Sequence, residues 1–260
     1  MSRQKQYRTI FISDLHLGSR DCKADQLDTF LKTHSCDTLY LIGDILDAWK
    51  IQQNKWRWRQ SHTTVVRRIL GLAKNGTKVI YVPGNHDEFL RPMLQYGFNF
   101  GLIEVVNQTK HVGVDGKNYL VIHGDLFDGI SNLAPWISYL GDKAYDLLLT
   151  INNKYNWIRH RFGFGYFSIS KYLKYRVKNA VNFIFKFEKN MVEYCKKRGY
   201  DGIICGHIHQ LEIKDIDGIL YINDGDWVES CSAILEHHDG TFEAVALDIN
   251  NIMQSIKSYK

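Results

Sequence analysis

The stretch from Arg8 to Gly18, RTIFISDLHLG, decides the fold class of this chain. Arg8–Ile12 is a short β-rich run, and it leads at once into a loop that carries an acid and a histidine. We expect it to be a buried strand with a functional loop at its carboxyl end. Four more runs follow the same pattern: Thr38–Ile42 (TLYLI) before GDILD, Lys78–Val82 (KVIYV) before PGNHD, Tyr119–Ile122 (YLVI) before HGD, and Gly202–Cys205 (GIIC) before GHIH.

The segments between these runs predict an α/β protein. Lys23–Thr33 and Lys55–Lys74 are typical of helices, so the first third has the order β-α-β-α-β, which favours parallel strands. The rest of the strand content is expected to be antiparallel. Three dipeptides predict its hairpin turns: Asp115-Gly116, Asp217-Gly218 and Asp239-Gly240.

The pattern changes between Asn132 and Gly199, where strand–loop alternation stops and helical spacing from Ile169 onward predicts long helices. We therefore expect a core made of residues 1–131 and 199–260, with a helical cap inserted at 132–198. The chain of 260 residues has a formal net charge of +5. Between Lys154 and Arg198, basic residues exceed acidic ones by ten, so the remainder of the chain is acidic overall.

Composition narrows the class of protein. With 45% hydrophobic and 23% charged residues, the chain is neither disordered nor fibrous. The five cysteines form no CxxC pair, which argues against a cysteine zinc site. The opening MSRQKQYR has no apolar signal core, and no run approaches the roughly 18 apolar residues of a membrane span. These features favour a cytoplasmic protein with reduced, buried thiols.

The strand-end loops carry the side chains that suit a metal site. Carboxylate, amide and imidazole groups are ligands for Mn, Fe, Zn or Mg, and five such loops at one edge of a core would converge on one pocket. Asp14 and His16, two residues apart at a strand end, are expected to point to the same side, as are His207 and His209. The full set is Asp14, His16, Asp44, Asn85, His86, Asp87, His123, His207 and His209.

The order D-x-H, GD, GNHD, H and GHxH, from Ser13 to His209, resembles the signature of calcineurin-like metallophosphoesterases. The resemblance implies a four-layer α/β/β/α sandwich and phosphoester hydrolysis at a centre of two divalent ions, typically Mn²⁺, with Fe, Zn or Mg as alternatives. It implies that Asp44 bridges the two ions. It further implies Asp14, His16 and His209 as ligands of one ion, and Asn85, His123 and His207 as ligands of the other.

The same resemblance gives His86 a catalytic role. It implies that His86 aids the leaving group or stabilises the transition state, oriented by Asp87. The alternative is that His86 only braces its loop. Asp125, close after His123, is either near the ligands or an ordinary turn residue. Asn223–Trp227 (NDGDW) is interpreted as an ordered loop at the metal rim.

Three features resemble one branch, the UDP-2,3-diacylglucosamine pyrophosphatases of lipid A biosynthesis: Ile12–Gly18 (ISDLHLG), the helical insertion, and Gly225–Trp227 (GDW). This resemblance implies release of UMP and 2,3-diacylglucosamine 1-phosphate by an enzyme peripheral to the inner face of the cytoplasmic membrane. The sequence departs from that branch at His86, because well-known members have arginine there.

The basic, aromatic insertion is expected to meet an anionic membrane surface or the lipid substrate. Lys171, Lys174 and Lys178 are candidate contacts for phosphate or headgroups. The alternative is a solvated lysine face on helices whose aromatic residues pack together. The candidate acyl-chain or membrane contacts are Trp136, Trp157, Phe162, Phe164, Tyr166 and Phe167.

Two functions of other classes stay open. One is a soluble phosphodiesterase or nuclease whose basic cap grips a nucleic acid strand; the other is a metal-binding scaffold without activity. The charge pattern suits an anionic membrane as well as a nucleic acid strand. The resemblance implies a small nucleotide-linked or lipid substrate rather than nucleic acid, and nothing implies a protein partner. Lys55–Arg59 (KWRWR) either braces the second helix or lines the pocket mouth.

Overall fold

A computed structural model describes residues 5–127, 161–162 and 169–260; side chains at positions 5, 52 and 169–180 are left out of the description. The chain divides into two compact units. The first unit comprises Met1–Phe127 and Asn190–Lys260, and the second is Asp128–Lys189.

The described strands form two sheets. The seven-stranded sheet contains β1 (Lys5–Ile12), β2 (His34–Ile42), β3 (Lys78–Val82), β4 (Ile103–Val105), β10 (Ser232–Glu236), β11 (Phe242–Leu247) and β12 (Met253–Tyr259), in the order β12-β11-β10-β1-β2-β3-β4. The five-stranded sheet contains β5 (Thr109–Val112), β6 (Asn118–Val121), β7 (Gly202–Cys205), β8 (Glu212–Ile216) and β9 (Ile219–Asn223), in the order β5-β6-β7-β9-β8.

The described helices are α1 (Ala24–Thr33), α2 (Trp49–Gln52), α3 (Gln60–Lys74), α4 (Arg91–Leu94) and α5 (Ile169–Lys197). Short 3-10 turns cover Glu88–Leu90 and Asp125–Phe127. The helix α5 begins in the second unit and ends in the first. No described helix has the length and apolar character needed to cross a bilayer.

Alternation along β1 explains how the layers pack. Ile10 and Ile12 belong to the core between the seven-stranded sheet and helices α1 and α3, where they join Leu27 and Val65. Phe11 points the other way, into the core between the two sheets. A strand that is buried on both faces in this way must be apolar at nearly every position, which is why β1 ends in the continuous apolar run Ile10–Ile12.

The predicted α/β architecture is confirmed. Strands β1 to β4 are parallel, and so are β6, β7 and β9. Their carboxyl ends therefore carry the loops that the sequence singled out. The three Asp-Gly dipeptides each lie in a turn between antiparallel strands, namely β5–β6, β8–β9 and β10–β11.

The second predicted helix starts five residues later than expected, at Gln60. Lys55–Arg59 stays extended because it packs on the loop after β1. The backbone N–H of Arg57 donates to Gly18 O at 2.8 Å, and the Trp56 ring lies so close to Gly18 that a Cβ there would be 2.2 Å from it. Tertiary contacts outweigh the helical pattern at this point.

In the insertion, α5 confirms the helix predicted from Ile169. Phe162 is exposed, at 72% of its surface. Lys171, Lys174 and Lys178 belong to α5, but their side chains are outside the description. Five predicted contact residues lie outside the described residues altogether: Trp136, Trp157, Phe164, Tyr166 and Phe167.

Candidate metal centre

Backbone hydrogen bonds bring the strand-end loops together within the first unit. The loop after β1 is bound to the loop after β2, because Asp14 N donates to Gly43 O at 3.0 Å and His16 N donates to Asp44 O at 2.9 Å. In the other sheet, Gly206 N donates to His123 O at 3.2 Å. The two sheets are then joined by His207 N, which donates to Asp14 Oδ2 at 2.9 Å.

The donor atoms of these loops form three overlapping groups, each within 4.8 Å: Asp14, His16 and His209; His16, Asp44 and His86; and Asp44, His123 and His207. Asp14 Oδ1 is 3.0 Å from His209 Nε2 and 3.8 Å from His16 Nε2. Asp44 Oδ1 is 3.5 Å from His123 Nε2, while Asp44 Oδ2 is 3.9 Å from His16 Nε2. Because donors of one ion each lie about 2.1 Å from it, they are at most about 4.2 Å apart. All four separations satisfy that limit.

Several of these atoms are buried without a hydrogen-bond partner among the described residues. They are Asp14 Oδ1, His16 Nε2, Asn85 Oδ1 and His123 Nε2. A buried polar atom without a partner costs about 1–3 kcal/mol, so folded proteins rarely keep such atoms unless an ion or a water binds them. Three of these atoms belong to residues of the donor groups above, namely Asp14, His16 and His123, and unpartnered atoms gathered in this way fit a cation. The residues present therefore suit the metal chemistry that the sequence predicts.

The His123 ring is held with Nε2 free for a ligand. His123 Nδ1 lies 2.7 Å from Ile42 O, and a carbonyl can only accept, so this nitrogen carries the hydrogen. In the neutral ring, Nε2 is then the lone-pair atom, as a metal-binding histidine requires. His123 is fully buried, which keeps the ring in this orientation.

Backbone strain is concentrated at the donors. Five of them have a left-handed φ although none is glycine: Asp14 (53°), His16 (49°), Asp44 (53°), His207 (72°) and His209 (53°). Such a residue costs on the order of 1 kcal/mol or more, and the strain persists only where the surrounding structure imposes it. Asp14 and His16 were expected to point to the same side because side chains alternate along a strand, but the structure gives a different reason. Both residues lie beyond the end of β1 and turn inward through left-handed conformations.

The electrostatic field at the site favours a cation. Burial alone would lower the pKa of His16, but the neighbouring carboxylates of Asp14, Asp47 and Asp44 raise it to about 10. Burial would raise the pKa of Asp44, yet the neighbouring His123 and His16 bring it to about 2. Carboxylates that stay ionised in a buried site attract positive charge, whether it is carried by protons or by metal ions.

His86 lies at the open side of the site. Its Nδ1 is 2.9 Å from Asp47 Oδ1, and its Nε2 is 3.8 Å from Asp44 Oδ2. The Trp49 ring stacks on the His86 ring, with centroids 4.0 Å apart and planes at 29°. The side chain of His86 keeps 20% of its surface exposed, so the imidazole is held by neighbours while one edge can reach a substrate.

The carboxylate that contacts His86 belongs to Asp47, and not to Asp87 as the resemblance implied. Asp87 instead ties the loop after β3 to the loop after β2. It accepts the backbone N–H groups of Gly84 at 2.5 Å and of Ile45 at 2.8 Å, together with the Tyr81 hydroxyl. Because both of its oxygens accept hydrogen bonds, Asp87 holds together the two loops that carry Asp44 and His86.

Asp47 is the functional residue that sequence reasoning missed. Its Oδ2 is 3.5 Å from His16 Nδ1, so one carboxylate faces two of the candidate histidines. A sequence signal was present, because Asp47 is an acid three residues after Asp44 in a stretch that is otherwise apolar. A buried acid in such a stretch needs a partner of opposite charge or a hydrogen-bond donor.

The remaining predicted residues support the loops. Asp125 forms a bidentate pair with Arg91, at 2.8 Å for each contact, and Arg91 also donates to Pro83 O. Asp125 therefore steadies the loop that leads into GNHD. Within the Lys55–Arg59 run, Arg57 contacts the loop after β1, which neither alternative anticipated. Arg59 also contacts His62 in the first turn of α3, as expected if the run braces that helix.

Comparisons with known proteins agree with this geometry. The family model described as calcineurin-like phosphoesterase matches residues 7–211. The UDP-2,3-diacylglucosamine hydrolase of Wigglesworthia glossinidia brevipalpis is 24% identical over 240 residues, which is 87% of this chain and 89% of that protein. The enzyme of the same name from Neisseria meningitidis serogroup B is 24% identical over 249 residues, covering 86% and 92% of the two chains.

Other matches are more distant or partial. The DNA polymerase II small subunit of Methanothermobacter thermautotrophicus is 26% identical over 175 residues, covering 56% of this chain and 36% of that protein. A single mutant of Vps29 from Entamoeba histolytica is similar in fold, with a TM-score of 0.50 at 13% identity over 97% of this chain and 99% of that one. With its donor set, two-sheet fold and matched residues 7–211, the chain belongs to the calcineurin-like phosphoesterases, metal-dependent hydrolases of phosphoester bonds.

Proposed function

We propose that this chain hydrolyses UDP-2,3-diacylglucosamine, releasing UMP and 2,3-diacylglucosamine 1-phosphate. The observation that carries this proposal is the extent of the similarity to enzymes named for that substrate. It covers 87% of the chain in one case and 86% in another, too much to leave out the whole of residues 128–189. The alignments therefore include part of the inserted segment, which is the segment expected to recognise lipid.

We propose that the donor groups bind two divalent ions, with Asp44 between them. Asp14, His16 and His209 would hold one ion, and Asn85, His123 and His207 the other. The distances and the orphaned donor atoms support this division. When bound, such ions lower the pKa of a water molecule and offset charge on phosphoryl oxygens. Mn²⁺ is the ion we propose, although the donor set also suits Fe, Zn and Mg.

In this proposal His86 acts on the substrate. Held by Asp47 and Trp49, its exposed Nε2 edge would donate a proton or a hydrogen bond to the departing phosphate oxygen. The rival role is that of a metal ligand, because His86 shares a donor group with His16 and Asp44. These two roles differ in what a substitution should do to metal binding.

We expect His86→Ala to lower kcat on UDP-2,3-diacylglucosamine by about 100- to 1,000-fold, the usual contribution of a positioned proton donor. The dissociation constant for Mn²⁺, measured by calorimetry, should change by less than about tenfold, since all seven proposed ligands stay in place and His86 contacts Asp47 rather than serving as a ligand itself. His238→Ala is the matched control, because that histidine is exposed and lies 4.0 Å from Asp37. A loss of metal affinity as large as the loss of rate would make His86 a ligand.

We also propose that the insertion meets the lipid part of the substrate at the inner face of the cytoplasmic membrane, with Lys171, Lys174 and Lys178 near phosphate groups. Changing these three lysines together to Ala should raise KM for UDP-2,3-diacylglucosamine while leaving kcat/KM for bis-p-nitrophenyl phosphate within about threefold, because uniform binding contacts affect only the ligand that makes them. Equal losses on both substrates would mean that these residues shape the catalytic centre instead.

The substrate itself is tested by incubating Mn²⁺-loaded protein with UDP-2,3-diacylglucosamine and detecting UMP. A nucleic acid phosphodiesterase is the second candidate, favoured by the partial match to a DNA polymerase small subunit. A single-stranded oligonucleotide is therefore assayed in parallel. Release of UMP supports the proposal; cleavage of the oligonucleotide with no release of UMP overturns it in favour of the second candidate.

A further inference from the structure

A fully buried carboxyl group lies behind Asp14. Asp224, in the loop after β9, places its Oδ1 2.5 Å from Ser13 Oγ. Ser13 Oγ is also 2.5 Å from Asp14 Oδ2. Asp224, Ser13 and Asp14 thus form a chain of hydrogen bonds that ends on a candidate metal ligand, on the oxygen that does not face the other donors.

The hydrogen bonds that join Asp224, Ser13 and Asp14 need one hydrogen more than the Ser13 hydroxyl supplies. A serine hydroxyl carries one hydrogen and can therefore donate once. Two carboxyl oxygens approach Ser13 Oγ at 2.5 Å, and each contact requires a hydrogen between the two oxygens. One of the two carboxyl groups must then be protonated and donate to the serine. The remaining neighbour of Ser13 Oγ, Gly225 O at 3.3 Å, is too far to change this count.

The proton belongs on Asp224. Asp14 must be ionised to bind a cation, as the proposed function requires. Asp224 has no exposed surface, and its Oδ2 has no hydrogen-bond partner among the described residues. An ionised carboxylate in that position would lack solvent and would leave Oδ2 without a hydrogen bond, which is costly. Burial accordingly raises the pKa of Asp224 well above its ordinary value, and the charge of Asp14 raises it further.

We propose that Asp224 is a positioning residue that works as a neutral hydrogen-bond donor: it donates to Ser13, and Ser13 donates to Asp14 Oδ2. This inference rests on the proposed metal-binding role of Asp14 and adds what orients that ligand. With Oδ2 held by Ser13 and by the N–H of His207 at 2.9 Å, Asp14 Oδ1 is left to face His209 and His16.

A glycine at position 206 leaves the space that this chain of hydrogen bonds occupies. A Cβ on Gly206 would lie 2.1 Å from Ser13 Oγ and 2.6 Å from Asp14 Oδ2, so the glycine of GHIH is what allows the two side chains to meet. On the other side, Trp227 N donates to Asp14 O at 3.1 Å. The NDGDW loop therefore supports the ligand through both its backbone and a buried acid.

The effect of Asp224→Asn on Mn²⁺ binding depends on whether Asp224 is a neutral donor or an anion. The amide of Asp224→Asn can still donate to Ser13 but carries no charge, so it should keep the dissociation constant for Mn²⁺ within about threefold of wild type. Asp224→Ala loses the donor and should weaken binding by about tenfold or more, as is usual when a group that orients a ligand is removed. Asp217→Asn, at an exposed turn residue, is the matched control.

The experiment is Mn²⁺ calorimetry on the metal-free full chain, with infrared spectroscopy as an independent readout of the protonation state. At neutral pH, wild type should show the carbonyl stretch of a buried carboxylic acid, and Asp224→Asn should lack it. The proposal is overturned if Asp224→Asn weakens binding as much as Asp224→Ala, if neither weakens it, or if that carbonyl stretch is absent. If wild type binds no Mn²⁺ at all, the proposed metal centre fails instead.

Discussion

Replacing Asp44 with Asn should reduce kcat on any phosphoester substrate by on the order of 1,000-fold or more. Asp44 is the residue whose two oxygens face different histidines, His123 on one side and His16 with His86 on the other. No other described carboxylate occupies two of the three donor groups. An amide in its place offers one oxygen and no charge, so one of the two proposed ions loses a ligand and the remaining repulsion between the ions is no longer offset.

The measurement is the initial rate with Mn²⁺ on bis-p-nitrophenyl phosphate, together with the metal retained after dialysis. Asp37→Asn serves as the control, because that acid is exposed and lies 4.0 Å from His238 in a surface pair. The control should behave like wild type. An Asp44→Asn enzyme within tenfold of the wild-type rate would show that the carboxylate does not join the two donor groups in catalysis.

Gly84→Ala is expected to have the second large effect, although the substitution adds a single methyl group. A Cβ on Gly84 would lie 2.2 Å from Asp44 Oδ1 and 2.7 Å from both Asp44 N and His123 Cδ2. The backbone atom and the fully buried ring cannot move aside without displacing two proposed ligands. We expect Mn²⁺ affinity to fall by about 10- to 100-fold and the free energy of unfolding to fall by about 1–3 kcal/mol.

Gly71→Ala makes a matched control for the methyl group itself. Gly71 lies in α3, and a Cβ there meets nothing within 4 Å. That variant should gain roughly 1 kcal/mol of stability from helix propensity and keep wild-type metal affinity. Thermal unfolding and Mn²⁺ calorimetry on both variants check the pair. Unchanged affinity in Gly84→Ala would mean that the loop after β3 does not fix the ligands as described.

The sequence was most informative where chemistry and secondary structure coincide. Each apolar run that stops at an acid or histidine became a strand with a site loop, because a strand buried on both faces must be apolar and the polar groups can only follow it. The start of α3 was not predictable in this way. The helical spacing continues back to Lys55, but the contact of Trp56 and Arg57 with Gly18 is long-range and keeps those residues extended.

The sequence predicted which residues form the site better than it predicted how those residues contact one another. Residue type and order picked out the donors, yet the sequence did not predict that Asp14, His16 and Asp44 adopt left-handed conformations. Asp and His adopt them more often than most non-glycine residues, but still at only a small minority of positions. Asp47 was not predicted as the partner of His86, because Asp87, which follows His86 directly in the sequence, was expected to make that contact. The acid nearest in sequence turned out to bind backbone N–H groups.

The central claim is that one carboxylate joins two donor groups into a single centre for two ions. Electron paramagnetic resonance of the protein titrated with Mn²⁺ tests it most directly, because two Mn²⁺ ions that share a bridging ligand are magnetically coupled. The account predicts that wild type takes up two ions per chain and gives a coupled spectrum, which Asp44→Asn loses. One ion per chain, or two ions with independent spectra in wild type, would contradict it.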